Sequence, residues 1–541
     1  MLKSLLCTHK TIWLALLAVS TWIFLYLMLN NITDWDLWGV MSFGALLDQN
    51  PGWFPYTDPF SYTAFGKPWI YHEWGSGVIF YQVFKHGGST ALFWLKLLLV
   101  EAIFLVACLP MIRQKQNFTR LQEIFIVAGL PLGAYLILPI VSTTIRCHLF
   151  TFLGYAITLQ LLERHRKTPT SRMLWLLPLF MVLWVNVHGG FITGIVAIGV
   201  YAAHAWVSRQ TGMARHLSII FLFCGVSTLM NPYGLAFITT MFSAWTLPRT
   251  GISEWGNVFS LDIPAYGLIY TLLLVGGLGL IWYAKRRNAW HALLLIAFTG
   301  IYGWLHYKLA PLFLITLLSL GYALLPSQAS DNPTLLPAAS AVKKWGIRCC
   351  NLLIMALPIV LILIGGIGNG IYLYQTPHPF AVKVQGTDTV RSSQSGTRFA
   401  YPIGAVNFLK QNRVEGNVWV PFTWGEFIYW VLTPQGRVSM DGRYETVYPL
   451  SVYKDYRAFY HPPYDISRAE RYPTTHILVQ ASQSDLLRKL SQSGRWHVIY
   501  QDSRTVLFAK KAQPPTKATY PEQSALLDDY RGNLSRFKLN F

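Results

Sequence analysis

Apolar runs of about twenty residues recur along the first two-thirds of the chain, separated by short polar loops. Twenty helical residues match the hydrocarbon thickness of a bilayer, so the pattern predicts a polytopic membrane protein. Spans are expected near 11–30, 89–112, 121–141, 149–163, 172–187, 191–208, 216–232, 265–284, 288–305, 308–326 and 349–374. The first, "IWLALLAVSTWIFLYLMLN" after Lys3 and Lys10, is too long for a signal-peptide core and lacks a small-residue cleavage site, so it reads as a retained span. Between the first two spans lies a long loop, 31–88, dense in aromatics and prolines. Within it "WGSGVIFYQVFKHGG" is too short to cross and predicts a helix lying on the membrane surface.

From Phe380 the pattern becomes that of a soluble domain. "AYPIGAVNFLKQN" predicts a helix, "NVWVP" a buried strand, and "GRVSMDGR" a strand ending in a turn. "THILVQ" is another strand, "DLLRKLSQSG" a helix, and "WHVIYQDSRTVLFAKK" a hairpin turning near Asp502 and Ser503. The expected fold is therefore mainly α. A transmembrane helical bundle of about eleven spans (1–375, with its first outside loop 31–88) precedes a small extracytoplasmic α/β domain (376–511) and a polar tail (512–541). No glycine-rich phosphate loop follows any strand, so nucleotide binding has no support there.

Composition agrees with the pattern. The chain is 53% hydrophobic and only 13% charged, with mean hydropathy +0.35, where soluble proteins carry about a quarter charged residues. A net charge of +20 invites a nucleic-acid reading, but its placement argues against one. The basic residues fall in alternate loops: Arg113, Lys115 and Arg120; Arg164, Arg166, Lys167 and Arg172; Arg209 and Arg215; Lys285, Arg286 and Arg287; Lys343, Lys344 and Arg348. With Lys3 and Lys10 these are 17 on one side, against five on the other: Lys67, Lys85, Arg146, Arg249 and Lys308. That bias puts the N-terminus in the cytoplasm and, after eleven crossings, the C-terminal domain outside. All six cysteines lie in or beside the expected spans, and no Cys/His spacing of metal-site type appears.

Several stretches carry a family likeness. "DWDLWGVMSFGALL" followed by "PYTDPFSYTAFGKPWIYHEW" resembles the first outside loop of a family of bacterial polytopic proteins described as GT-C-type glycosyltransferases. That family is related to the protein O-mannosyltransferase and lipid A aminoarabinose transferase superfamily. "TIRCHLFTFLGYAITLQLLER", "LWVNVHGGFITGI", "NPYG", "ISEW" and "YPIGAVNFL…WGEFIYWVL…RVSMDGRYE" extend the resemblance over most of the chain. It implies an inner-membrane enzyme that moves a hexose or pentose from a polyprenyl-phosphate-linked donor to an envelope glycan, lipid or protein on the extracytoplasmic side. By the same likeness Asp36 in "DLW" takes the place of the family's first-loop acid, with Asp34 beside it. Where relatives often show Trp-Trp-His after that acid, this chain reads "LWGV", so that histidine has no counterpart. Other classes stay open: an O-antigen ligase or polymerase that moves whole glycans, a lipid or solute transporter, or a membrane scaffold.

Chemistry of this kind needs a carboxylate to take a proton from the acceptor hydroxyl, and cations or amide donors for the leaving phosphate. Asp36, Asp34, Asp58 and Glu73 are the candidate catalytic acids, and with His72 they share one loop and can gather around a substrate or a divalent metal. Each has a plainer alternative. Asp34 and Asp36 can be solvated loop acids, Asp58 an Asx turn before Pro59, and Glu73 a counter-charge to its own helix N-terminus. Arg146, His148, His188, His306 and Lys308 sit at the outer edge of spans, where charge is costly unless used, and are the candidate ligands of a lipid phosphate. Their alternative is snorkelling to headgroups. Asp441 and Arg443 in "MDGR" are expected to build a turn, and Lys96 and Glu101 to form a pair within the second span.

Overall fold

The structure is a computed structural model, and it describes residues 10–114, 118–142, 145–169, 171–246, 253–286, 288–325, 380–382, 385–386, 400–433 and 435–511. The expected span at 349–374 and the tail at 512–541 lie outside the described residues. The chain divides into two compact units. One comprises Met1–Asn31, Ser89–Pro232 and Pro248–Ala381, the other Ile32–Gly88, Tyr233–Leu247 and Val382–Phe541. The first outside loop thus belongs with the C-terminal residues.

The first unit is helical. Among the described residues four helices are long and apolar enough to cross a membrane, by length and composition: Ile12–Leu29, Trp74–Ala107, Gly189–Val207 and Tyr307–Leu324. The shorter apolar helices Leu121–Ile137, Arg172–Val187, Thr211–Ser227, Tyr266–Gly279 and Trp290–Leu305 fall on expected spans without reaching that length. The apolar pattern therefore marks where the helices run, while the full count of about eleven goes beyond what their lengths carry. Two chain breaks fall between expected elements. His188 takes an extended conformation (φ −165°) between Leu176–Val187 and the next helix, and Gly88 (φ 63°) interrupts Trp74–Ala107. A side chain at Gly88 would be strained. The break separates the expected surface helix from the expected second span.

Leu98, Leu183, Val207, Leu222 and Leu272 turn outward and are exposed, as a lipid-facing surface requires. Inside, Trp184 fills the space left by two glycines: a Cβ on Gly154 or Gly194 would approach its ring to 2.9 or 2.6 Å. Small residues give helices this closeness of packing. Glu101 accepts from Ser20 Oγ at 2.7 Å, and Lys96 Nζ donates to the Ser142 carbonyl at 3.1 Å. The expected Lys96–Glu101 pair is therefore replaced by bonds to neighbouring elements.

The second unit holds a five-stranded mixed sheet in the order Gly436–Val438, Gly416–Trp419, His476–Gln480, Thr505–Lys510, Trp496–Gln501. The first three strands are parallel and the last two antiparallel, closing as the expected hairpin. Asp502 Oδ1 accepts from Arg504 N and Thr505 N at its turn. Helices Ile403–Gln411, Gly425–Leu432, Leu450–Tyr460 and Ser484–Gln492 supply the rest. Trp419, Phe459, Ile477, Val479, Leu486, Leu490 and Phe508 form the core, and the first-loop residue Tyr62 is packed into it. That loop also extends the sheet: Tyr62 N donates to Val438 O (3.1 Å) and Val438 N to Phe60 O (3.2 Å).

Candidate functional site

In the second unit, the helix Asp36–Gln49 begins in the "DWDLW" run. Its first turn leaves backbone N–H groups without helical partners. Asp34, buried, meets them: its Oδ1 accepts from Asp36 N (3.2 Å) and Leu37 N (3.3 Å). Tyr401 Oη donates to the Asp34 carbonyl at 2.5 Å. Asp34 is thus a capping residue. Asp36, the first residue of the helix, is only half-buried.

Facing this helix start is Glu426, which sequence reasoning missed. It is buried, and Gly39 N donates to its Oε2 at 2.9 Å. A Cβ placed on Gly442 would lie 2.7 Å from Glu426 Oε1 and 3.5 Å from Asp36 Oδ1, so the two carboxyls border one small space. Burial, then Asp36 and Asp441, push the Glu426 carboxyl well above the usual carboxylate range, against the pull of Arg443 and Gly39 N–H.

Asp58 and Asp441 share Arg443. Its Nη1 donates to Asp58 Oδ1 (2.7 Å), its Nε to Asp441 Oδ1 (2.8 Å) and its Nη2 to Asp441 Oδ2 (2.6 Å). Tyr448 Oη donates to Asp441 Oδ2 at 2.6 Å, and the guanidinium lies 4.7 Å from the Trp69 ring centroid. Burial opposes charge on Arg443, but Asp441 and Asp58 hold it ionised. Asp58 also accepts from Phe60 N, Ser61 N and Ser61 Oγ, forming the turn that its place before Pro59 suggested. With those acceptor positions filled, its geometry is that of a strut between the first loop and "MDGR". His72 and Glu73, both half-buried, pair with each other at 3.7 Å.

In the first unit a second cluster forms around Glu254 of "ISEW", also missed. Arg146 Nη1 pairs with Glu254 Oε1, and Lys308 Nζ lies 2.9 Å from Oε2. Burial opposes charge on Glu254, yet Arg146 and Lys308 hold its carboxyl well below the usual range. The turn carrying it is tied to the turn carrying Lys308: Tyr307 N donates to Gly256 O (2.9 Å) and His306 Nδ1 to Trp255 O (2.8 Å). His148 is buried, lies within electrostatic reach of Arg146, Lys308, His188 and Glu254, and its Nε2 has no hydrogen-bond partner among the described residues. His188 Nδ1 accepts from Gly190 N (3.0 Å), with Thr151 Oγ1 at 2.7 Å, so its neutral ring carries the proton on Nε2. The structure therefore brings together Arg146, His148, His188 and Lys308, with His306 bracing them.

Both missed acids had a signal. Glu254 precedes a tryptophan in an acid-poor loop, much as Asp34 and Asp36 flank Trp35, and Glu426 is the only acid in "WGEFIYWVL". Among the described residues, no group of three or more His, Cys, Asp or Glu side chains is placed to hold a metal ion.

No family model matches the chain, and no curated protein matches it. Among solved structures it is similar to the archaeal oligosaccharyltransferase AglB from Archaeoglobus fulgidus, determined in complex with an inhibitory peptide and a dolichol-phosphate. The similarity covers 95% of this chain and 75% of that one, at 11% identity and a TM-score of 0.41. At that level no residue role or substrate carries over.

Proposed function

We propose that the protein is a multi-pass inner-membrane glycosyltransferase that moves a sugar from a polyprenyl-phosphate-linked donor to an envelope acceptor on the extracytoplasmic side. The observation that carries this reading is the gathering of Arg146, Lys308, His148 and His188 around a single carboxylate. Among the described residues two cations, Arg146 and Lys308, meet one acid, on the side of the chain where basic residues are otherwise scarce. Such a group suits a lipid phosphate, with Arg146 as the planar donor and Lys308 as a point charge. Asp36 is the base. It takes the proton of the acceptor hydroxyl as the sugar–phosphate bond breaks, and the bonding pair leaves on the lipid phosphate.

The test is genetic and chemical. Deleting the gene should remove one envelope glycan, glycolipid or glycoprotein, which the wild-type gene restores and Asp36→Asn does not. Restoration by the Asn variant at normal expression would refute the role of Asp36. Reporter fusions after Arg166 should read cytoplasmic and those after Gly234 extracytoplasmic, following the basic-loop bias. The reverse at Gly234 would remove the reading, since lipid-linked donors are used on the outer side.

A further inference from the structure

Glu426 is a buried acid whose side chain accepts one hydrogen bond among the described residues, from Gly39 N. Arg443, the cation within its electrostatic reach, is already engaged by Asp58 and Asp441. On one side its Oε1 shares with Asp36 Oδ1 the small space over Gly442. On the other, its Oε2 and the Tyr429 hydroxyl crowd the same point above Gly39, where a Cβ would contact Oε2 and lie 2.7 Å from Tyr429 Oη. That hydroxyl is fully buried and has no hydrogen-bond partner among the described residues. An ionised Glu426 would put a second negative charge against Asp36 out of water, which two neighbouring carboxyls avoid by keeping a proton between them.

We propose that Asp36 and Glu426 form an acid–base dyad holding one proton, with Glu426 the buried member that keeps it and Asp36 the accessible member. Burial and the charges of Asp36 and Asp441 favour the neutral form of Glu426. The neutral carboxyl donates its O–H toward Asp36, while its Oε2 accepts from Gly39 N and is available to the Tyr429 hydroxyl. The catalytic use of the dyad rests on the transferase reading above. The acceptor O–H gives its proton to Asp36, its oxygen bonds the sugar carbon, and the carbon–phosphate oxygen bond breaks with its electrons going to the lipid phosphate. Asp36 then releases the proton to water. Glu426 begins and ends the cycle neutral, so it is a positioning residue.

Infrared spectroscopy of the full chain in phospholipid nanodiscs tests this without a substrate. Wild type should show a protonated-carboxyl C=O band at neutral pH. Glu426→Gln should lose that band, and in Asp36→Asn the band should persist to a lower pH limit than in wild type, since the repelling charge is gone. A spectrum with no such band at neutral pH, or one unchanged in Glu426→Gln, overturns the proposal. So does a Glu426→Gln protein that fails to fold, because glutamine is the near-isostere of the neutral acid. In transfer assays Glu426→Gln should stay within about tenfold of wild type at neutral pH and lose the alkaline decline in rate, while Asp36→Asn falls about a hundredfold or more. If Asp36→Asn transfers normally while the band behaves as expected, the transferase reading fails and the dyad stands.

Discussion

Among the described residues each unit holds an ion triad, one buried and one partly exposed, and the triads have opposite stoichiometry. In one, a single cation, Arg443, serves two acids, Asp58 and Asp441, and the three side chains are at most 3% exposed. In the other, a single acid, Glu254, serves two cations, Arg146 and Lys308, whose side chains are 14% and 26% exposed. The first is closed: its acids are filled by the guanidinium, Tyr448 and backbone N–H groups. The second is more open, and among the described residues its two cations meet a single acid. Buried ion pairs of the closed kind cost much to break and little to leave alone, whereas an open, unbalanced one has capacity for a ligand.

The largest effect should follow from Arg443→Met, which leaves Asp58 and Asp441 buried without a cation. Loss of about 3–5 kcal/mol is the usual scale for such a break, read as a lowered denaturant midpoint in detergent. A near-neutral result would mean that water reaches the triad and that its closed character is wrong. Arg146→Lys should leave the fold nearly unchanged and weaken binding of polyprenyl phosphate by about tenfold, the weight of one charge-assisted hydrogen bond. Unchanged binding would make Arg146 a headgroup anchor.

Glu254→Gln should act in the opposite sense and tighten polyprenyl phosphate binding, because the competing carboxylate is removed. Its pH signature follows from the sign of the shift. Glu254 is held below its ordinary value, so its contribution to stability is present above the usual carboxylate range and lost as pH falls through the depressed folded value. The stability gap between wild type and Glu254→Gln should therefore persist at pH 5 and close only in stronger acid. A gap that closes between neutrality and the ordinary carboxylate range would show that Arg146 and Lys308 do not hold the acid. At the bottom of the scale, Asp485→Asn breaks a pair with Arg488 that is 58% and 65% exposed, and should shift stability by no more than about 0.5 kcal/mol.

The contrast also explains what could be read along the chain. Arg146, His148, His188 and Lys308 stood out because cations at span edges are costly and need a reason. Glu254 and Glu426 did not, because an acid in a loop or on a short helix resembles any solvated residue until its partners are known. Those partners are distant: Gly39 and Glu426 are 387 residues apart, and Asp58 and Arg443 are 385 apart. Local pattern was enough for the hairpin at Asp502, for the helix Ile403–Gln411 and for the change of character at Gly88, each fixed by neighbours in sequence. It was also enough for the Asp58 turn, but not for the guanidinium that completes it. Asp34 shows the limit from the other side. Its capping bonds need only the next three residues, yet the two acids of "DWD" look alike in sequence and separate only by burial and hydrogen bonding.

Asp36 is where these threads meet: a half-exposed acid at a helix start, beside a buried carboxyl. The direct test is sugar transfer by the purified full-length protein in nanodiscs, from a polyprenyl-phosphate-linked sugar, comparing wild type, Asp34→Asn and Asp36→Asn. The account predicts that Asp36→Asn binds polyprenyl phosphate as wild type does but transfers at about one-hundredth of its rate or less. Asp34→Asn keeps a side-chain oxygen for the same backbone N–H groups, so it should lose well under about 1 kcal/mol and keep most of its turnover. Transfer by Asp36→Asn at the wild-type rate would contradict the account.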